Sequence, residues 1–121
     1  MGTIEFYVNQ DKGKLRKDVI KAYQEIREHA CQCHSCKRRL NVFFEEWHPE
    51  LYANYNDAFR IVSLLEQYGF PSYYSDSVLY TFELKVGEKT FSGDGIHLPQ
   101  AICNLLLEFY KSDVWRKKPL D

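Results

Sequence analysis

The chain has 121 residues, enough for one modest hydrophobic core and too few for two. Hydrophobic residues make up 45% and aromatic residues 16%, which argues against disorder over most of the length. Sixteen basic against 17 acidic side chains leave a formal charge of −1, so there is no global attraction to nucleic acid or to an anionic membrane.

The opening stretch, Met1 to Gln10, contains Glu5 and Asn9 and has neither a cationic n-region nor an apolar h-region. No apolar run approaches the ~20 residues of a membrane span. A cytoplasmic protein without a membrane partner is the expectation. Within that opening, Ile4, Phe6 and Val8 alternate with polar neighbours, and the pattern predicts a strand over Thr3 to Val8.

Asn9 to Gly13 is turn-like, and from Lys14 the spacing becomes helical. Leu15, Val19, Tyr23, Ile26 and Ala30 fall three or four residues apart on one helix face. Cys33, Leu40, Phe44, Trp47 and Leu51 continue the same spacing, so residues 14–48 read either as one long helix or as two that meet near Cys31 to Cys36. An apolar seam from Leu15 to Leu51 that the core does not consume would pair with a second copy or a partner helix, which makes a homo-oligomer the expected state. The basic cluster Lys12, Lys14, Arg16, Lys17 and Lys21 reads as solvated surface, as do Arg116, Lys117 and Lys118 near the other end.

Asn56 and Asp57 are N-cap candidates for the next helix. Its Ala58, Ile61, Val62 and Leu65 form a stripe that ends at Gly69, read as a C′ residue. Phe70 to Ser77 reads as a connector with room for a short strand around Tyr73 and Tyr74. Val78, Tyr80, Phe82, Leu84 and Val86 alternate with Leu79, Thr81, Glu83 and Lys85, and Gly87-Glu88 supplies the Gly-X pair of a two-residue hairpin loop. Ser92-Gly93-Asp94-Gly95 looks like a turn. Pro99 then sets up a closing helix lined by Ala101, Ile102, Leu105, Leu106 and Phe109. The charged tail, 111–121, frays unless Trp115 pins it.

From Tyr52 to Tyr110 the order of signals resembles the phage ABA-sandwich domain, a small family of bacteriophage and prophage proteins. The resemblance is carried by Tyr52-Ala53-Asn54-Tyr55-Asn56-Asp57-Ala58-Phe59-Arg60-Ile61-Val62, by Gly69-Phe70, and most specifically by Pro99-Gln100-Ala101-Ile102-Cys103. His97 stands in place of a Thr cap, and Met1 to Glu50 has no counterpart in the pattern. The resemblance implies α-β-α layers and a life in the bacterial host cytosol, and it carries over no catalytic residue. The expected fold is therefore a single α+β domain: a strand plus helical cysteine-bearing region over 1–51, a sandwich-like unit over 52–110, and the tail.

Chemistry is concentrated in Cys31-Gln32-Cys33-His34-Ser35-Cys36. Thiolates and imidazoles at this spacing are zinc ligands, so a structural zinc held by Cys31, Cys33, Cys36 and His29 is one reading. Small core or interface cysteines are the favoured one, because a second, well-separated ligand pair is missing. Zinc would also allow an adaptor that sets Lys37, Arg38 and Arg39 against phosphates, although nucleic acid is not the expected partner. On one helix His97 and Cys103 lie ~240° apart and cannot act as base and nucleophile. Asp94 argues against anion binding at the Ser92 to Gly95 loop. Tyr52, Tyr55, Tyr73, Tyr74, Phe44 and Trp47 are candidates for a partner or ligand surface. No catalytic couple is legible, so the expected function is non-catalytic binding of a host protein or small molecule, with counter-defence as a fitting role. A small enzyme is the least favoured alternative.

Overall fold

The computed structural model describes residues 2–30, 55–76 and 78–116. Among them are four helices, α1 (Gly2–Val8), α2 (Lys12–Ala30), α3 (Tyr55–Leu65) and α4 (Leu98–Lys111). Three strands, β1 (Phe70–Ser75), β2 (Tyr80–Val86) and β3 (Lys89–Gly95), form one antiparallel sheet in the order β1-β2-β3. A 3-10 turn, Val114–Arg116, follows α4. The α+β class expected from the sequence is the one observed. No helix among the described residues is long and apolar enough to cross a membrane.

The hairpin forms where the alternation places it, with Val86 opposite Lys89 across Gly87 and Glu88. Gly87 has φ +62 while Glu88 does not share the positive sign, the pattern of a II′ turn. On the inner face Phe82 and Leu84 are buried, with Tyr80, Val86 and Phe91 half-buried beside them. The other face carries Thr81, Glu83, Lys85, Thr90 and Ser92, which reach solvent.

The inner face lies under α4, whose Ala101, Ile102, Cys103, Leu105, Leu106 and Phe109 are all fully buried. Behind and beside it, α2 contributes Leu15, Val19, Ala22, Tyr23 and Ile26, and α3 contributes Ala58, Ile61, Val62, Leu64 and Leu65, to one continuous core. The described part of the Leu15 to Leu51 seam is thus consumed inside the molecule, and the rest lies outside the described residues. Because α3 and α4 pack directly against each other, they cannot lie on opposite faces of the sheet. The α-β-α order is present along the chain, but the expected layering is corrected to helices gathered over one face.

Four further expectations are corrected. Residues 2–8 are helical rather than a strand: seven residues are too few for alternation to decide, and tertiary contacts to Tyr7 favour the helix. Ser92 to Gly95 completes β3 instead of turning. A Cβ on Gly93 would collide with the Leu105 nitrogen and stand 2.5 Å from the Ala101 carbonyl oxygen, so the glycine marks a close helix-on-strand approach. Gly69 lacks the positive φ of a C′ residue and is there because a Cβ would run into the Lys85 carbonyl. In α3, Tyr55 opens the helix, one residue before the predicted caps.

The end of α4 is fixed by local bonds. Ser112 N–H reaches the Glu108 and Phe109 carbonyls, and Asp113 takes φ +60, a conformation Asp tolerates at a helix end. Trp115 is buried, stacks on Tyr110 and donates its indole N–H to the Tyr110 carbonyl at 2.9 Å, so the tail is pinned as far as Arg116.

Tyr68, after α3, packs edge-on against Phe109, and its buried hydroxyl finds no partner among the described residues. Burial pushes its phenol from 10.0 up to about 12. Between those two values the unfolded chain loses a proton that the native protein keeps, so stability is expected to fall as pH rises through that window and to feel no effect of this group below it. Denaturation midpoints measured below and within the window, in wild type and Tyr68→Phe, check this: the phenylalanine variant should lose the alkaline slope that Tyr68 contributes.

Candidate functional site: an acidic groove beside the strand-helix corner

Asp11 starts α2. Its carboxylate accepts from Lys14 N–H at 3.0 Å and its carbonyl from Leu15 N–H at 2.9 Å, an N-cap arrangement that turns the chain sharply after α1. The α1-α2 corner is thereby held over the end of β3 and the outer flank of α4. Between them lies a groove of about 930 Å³.

A polar network ties the corner down. Gln100 is buried on the first turn of α4; its amide N–H groups donate to the Tyr7 carbonyl and to Gln10 Oε1, both at 2.9 Å, while its oxygen accepts from Ile96 N–H at 2.8 Å. This is a variant of the capping box, since the side chain reaches back past His97, which makes no side-chain cap bond itself. Gln10 Nε2 donates to Asn104 Oδ1 at 2.8 Å, and Asn104 Nδ2 donates to the Asp94 carbonyl at 2.8 Å. Asp94 accepts from the Thr81 hydroxyl at 2.7 Å and, more weakly, from Tyr7 at 3.5 Å. Burial and then the Asp94 charge push the Tyr7 phenol up. The buried Gln100 amide and the half-buried Gln10 and Asn104 amides, bonded to one another through Gln10, fix one arrangement of the groove floor.

The walls are charged unevenly. Glu5, Asp11, Asp18, Asp94 and Glu108 face Lys14 and Lys111, five carboxylates against two ammonium groups. Lys111 lies 3.9 Å from Glu108, with both side chains more than half exposed, so this pair is screened and leaves the imbalance in place. Phe6, Tyr7, Leu15 and Leu107 add apolar surface. An acidic trench with apolar patches of this kind attracts a cation with an aliphatic or aromatic body.

The residues singled out from sequence are distributed differently. His29, in the last turn of α2, is exposed and meets Trp115 edge-on at 5.7 Å. Cys31, Cys33 and Cys36 lie outside the described residues, as do Lys37, Arg38 and Arg39. Among the described residues no three His, Cys, Asp or Glu side chains converge as metal ligands. Tyr52, Phe44 and Trp47 also lie outside, and Tyr55 is placed only as the first residue of α3.

Tyr73 and Tyr74 are both exposed on β1 but point to opposite faces, so they do not form one surface; Tyr73 stacks on Phe82 at 5.8 Å. Cys103 is in the core while His97 is exposed, which keeps that pair apart. No local pattern in the chain marks the groove, whose residues come from four elements. The one available signal was Asp11 before a helical stripe. No family model, no curated protein and no solved structure matches the chain.

Proposed function

We propose that the protein acts by non-catalytic binding, holding a basic peptide segment of a partner protein in the groove between the α1-α2 corner and the β3-α4 flank. The observation that carries this reading is the excess of three carboxylates over ammonium groups around a groove of about 930 Å³ that also presents Phe6, Tyr7, Leu15 and Leu107. A lysine or arginine side chain lays its stem on Phe6 and Leu107 and its charge against Glu5, Asp18 or Glu108. The resemblance of residues 52–110 to the phage ABA-sandwich domain supports a phage or prophage setting, with a host protein as the partner and counter-defence as the role.

Calorimetric titration with a short arginine-rich peptide is the test. Binding in the micromolar range is expected, weakening as salt is raised. Reversing two exposed wall charges, Asp18→Lys and Glu108→Lys together, should lower affinity roughly tenfold or more with an unchanged melting temperature. A peptide that fails to bind, or binds equally to the reversed variant, contradicts the reading. Spermidine binding without peptide binding would point to a small polycation instead.

A further inference from the structure

The edge of the sheet carries an independent observation. β1 is an edge strand among the described residues, and Phe70, Tyr73 and Tyr74 on it, with Val78 just beyond, are 74%, 60%, 55% and 53% exposed. These four make up the majority of the large exposed hydrophobics of the described residues; Phe6, Val8 and Phe59 are the others. The strand, Phe70-Pro71-Ser72-Tyr73-Tyr74-Ser75, has no charged residue to discourage pairing.

Pro71 has no N–H, so it fits opposite Leu84 only with its nitrogen directed away from β2. By the alternation of an antiparallel ladder, Tyr73 and Ser75 then direct their N–H groups outward, together with the carbonyls of Pro71, Tyr73 and Ser75. This set is self-complementary. An antiparallel copy centred on Tyr73 places Tyr73 N–H against the copy's Tyr73 carbonyl and Ser75 N–H against its Pro71 carbonyl, twice over, and asks no hydrogen from the proline.

We propose that two copies of the chain pair antiparallel through β1, about Tyr73, and join their sheets into one of six strands. Tyr73 then stands beside its copy on one face of the joined sheet while Phe70 and Tyr74 line the other, so apolar side chains flank the backbone ladder on both faces of a contact at the small end of specific interfaces. The occupant is a second copy because the donor and acceptor pattern of β1 matches its own reverse. The contact is independent of the groove.

Sedimentation equilibrium of the full chain under reducing conditions, up to about 500 µM, tests the proposal, because small interfaces are of the weak class and need concentrations well above the micromolar range. Wild type should dimerise. Tyr73→Lys, which sets two ammonium groups face to face, should raise the dissociation constant tenfold or more while leaving the circular dichroism unchanged. Ser75→Pro, which removes an outward N–H the β2 ladder does not use, should do the same and serves if the lysine variant fails to fold. Hydrogen exchange should slow at the Tyr73 and Ser75 amides as concentration rises. A wild-type chain that stays monomeric throughout overturns the proposal and leaves the edge to a strand of another protein. A dimer indifferent to both substitutions, with the two amides unprotected, overturns it in favour of another surface.

Discussion

Gly93→Ala is expected to destabilise the protein by about 3 kcal/mol or to prevent folding outright. The added methyl collides with the backbone of α4 at Leu105 and comes within 2.5 Å of the Ala101 carbonyl and 2.7 Å of the Asn104 carbonyl carbon. Backbone atoms in mid-helix cannot swing aside as a side-chain tip can. Relief therefore requires α4 to lift from β3, which opens the core under Leu105, Ile102 and Phe109 and breaks the Asn104 bond to the Asp94 carbonyl. Urea denaturation measures the loss. Gly13→Ala, in exposed helix with Asp11 Oδ1 at 3.5 Å as the nearest atom, should instead gain roughly 0.5–1 kcal/mol. Similar losses at the two positions would contradict the close-approach account of Gly93.

Trp115→Ala should cost about 3–5 kcal/mol, an unusually large effect for a residue so near the end of the described chain. Its indole is buried, stacked on Tyr110 at 5.6 Å, edge-on to His29 at 5.7 Å, and hydrogen-bonded to the Tyr110 carbonyl. The tryptophan thus clamps the end of α4 to the last turn of α2. Alongside it, the Tyr110 hydroxyl donates to Glu25 at 2.6 Å across the same junction. Thermal melts of the alanine and phenylalanine variants separate packing from the N–H bond. Phenylalanine should recover most of the loss, short of the ~1 kcal/mol of the hydrogen bond. A melting temperature indifferent to Trp115→Ala would mean the clamp is not formed.

The parts of the fold that could be read from the chain are those whose signal is local. The alternation from Val78 to Val86, the Gly87 turn, and the stripes Ala58 to Leu65 and Ala101 to Phe109 each dictate one element, and all are present. Phe70 to Ser77, read as a connector with room for a short strand around Tyr73 and Tyr74, holds the six-residue strand Phe70–Ser75. The failures share one physical cause, which is contact between distant segments. Alternation over Thr3 to Val8 is overridden because Tyr7 meets Gln100 and Asp94, some ninety residues away. The Ser-Gly-Asp-Gly stretch has turn composition, yet its glycines serve the approach of α4, which no local pattern announces.

The candidate site was illegible for the same reason. Gln10, Gln100 and Asn104 look like ordinary polar surface until folding brings Gln10 within hydrogen-bond distance of both of the others. Five carboxylates spread from Glu5 to Glu108 make no cluster in a chain of net charge −1.

The central claim is that the groove holds a basic segment, and isotope-edited NMR of the labelled chain titrated with an unlabelled arginine-rich peptide tests it most directly. Saturable shifts confined to backbone amides of residues 5–18, 92–94 and 104–111 are the expected result. Shifts centred elsewhere, or none at peptide concentrations well above the micromolar range, would contradict it.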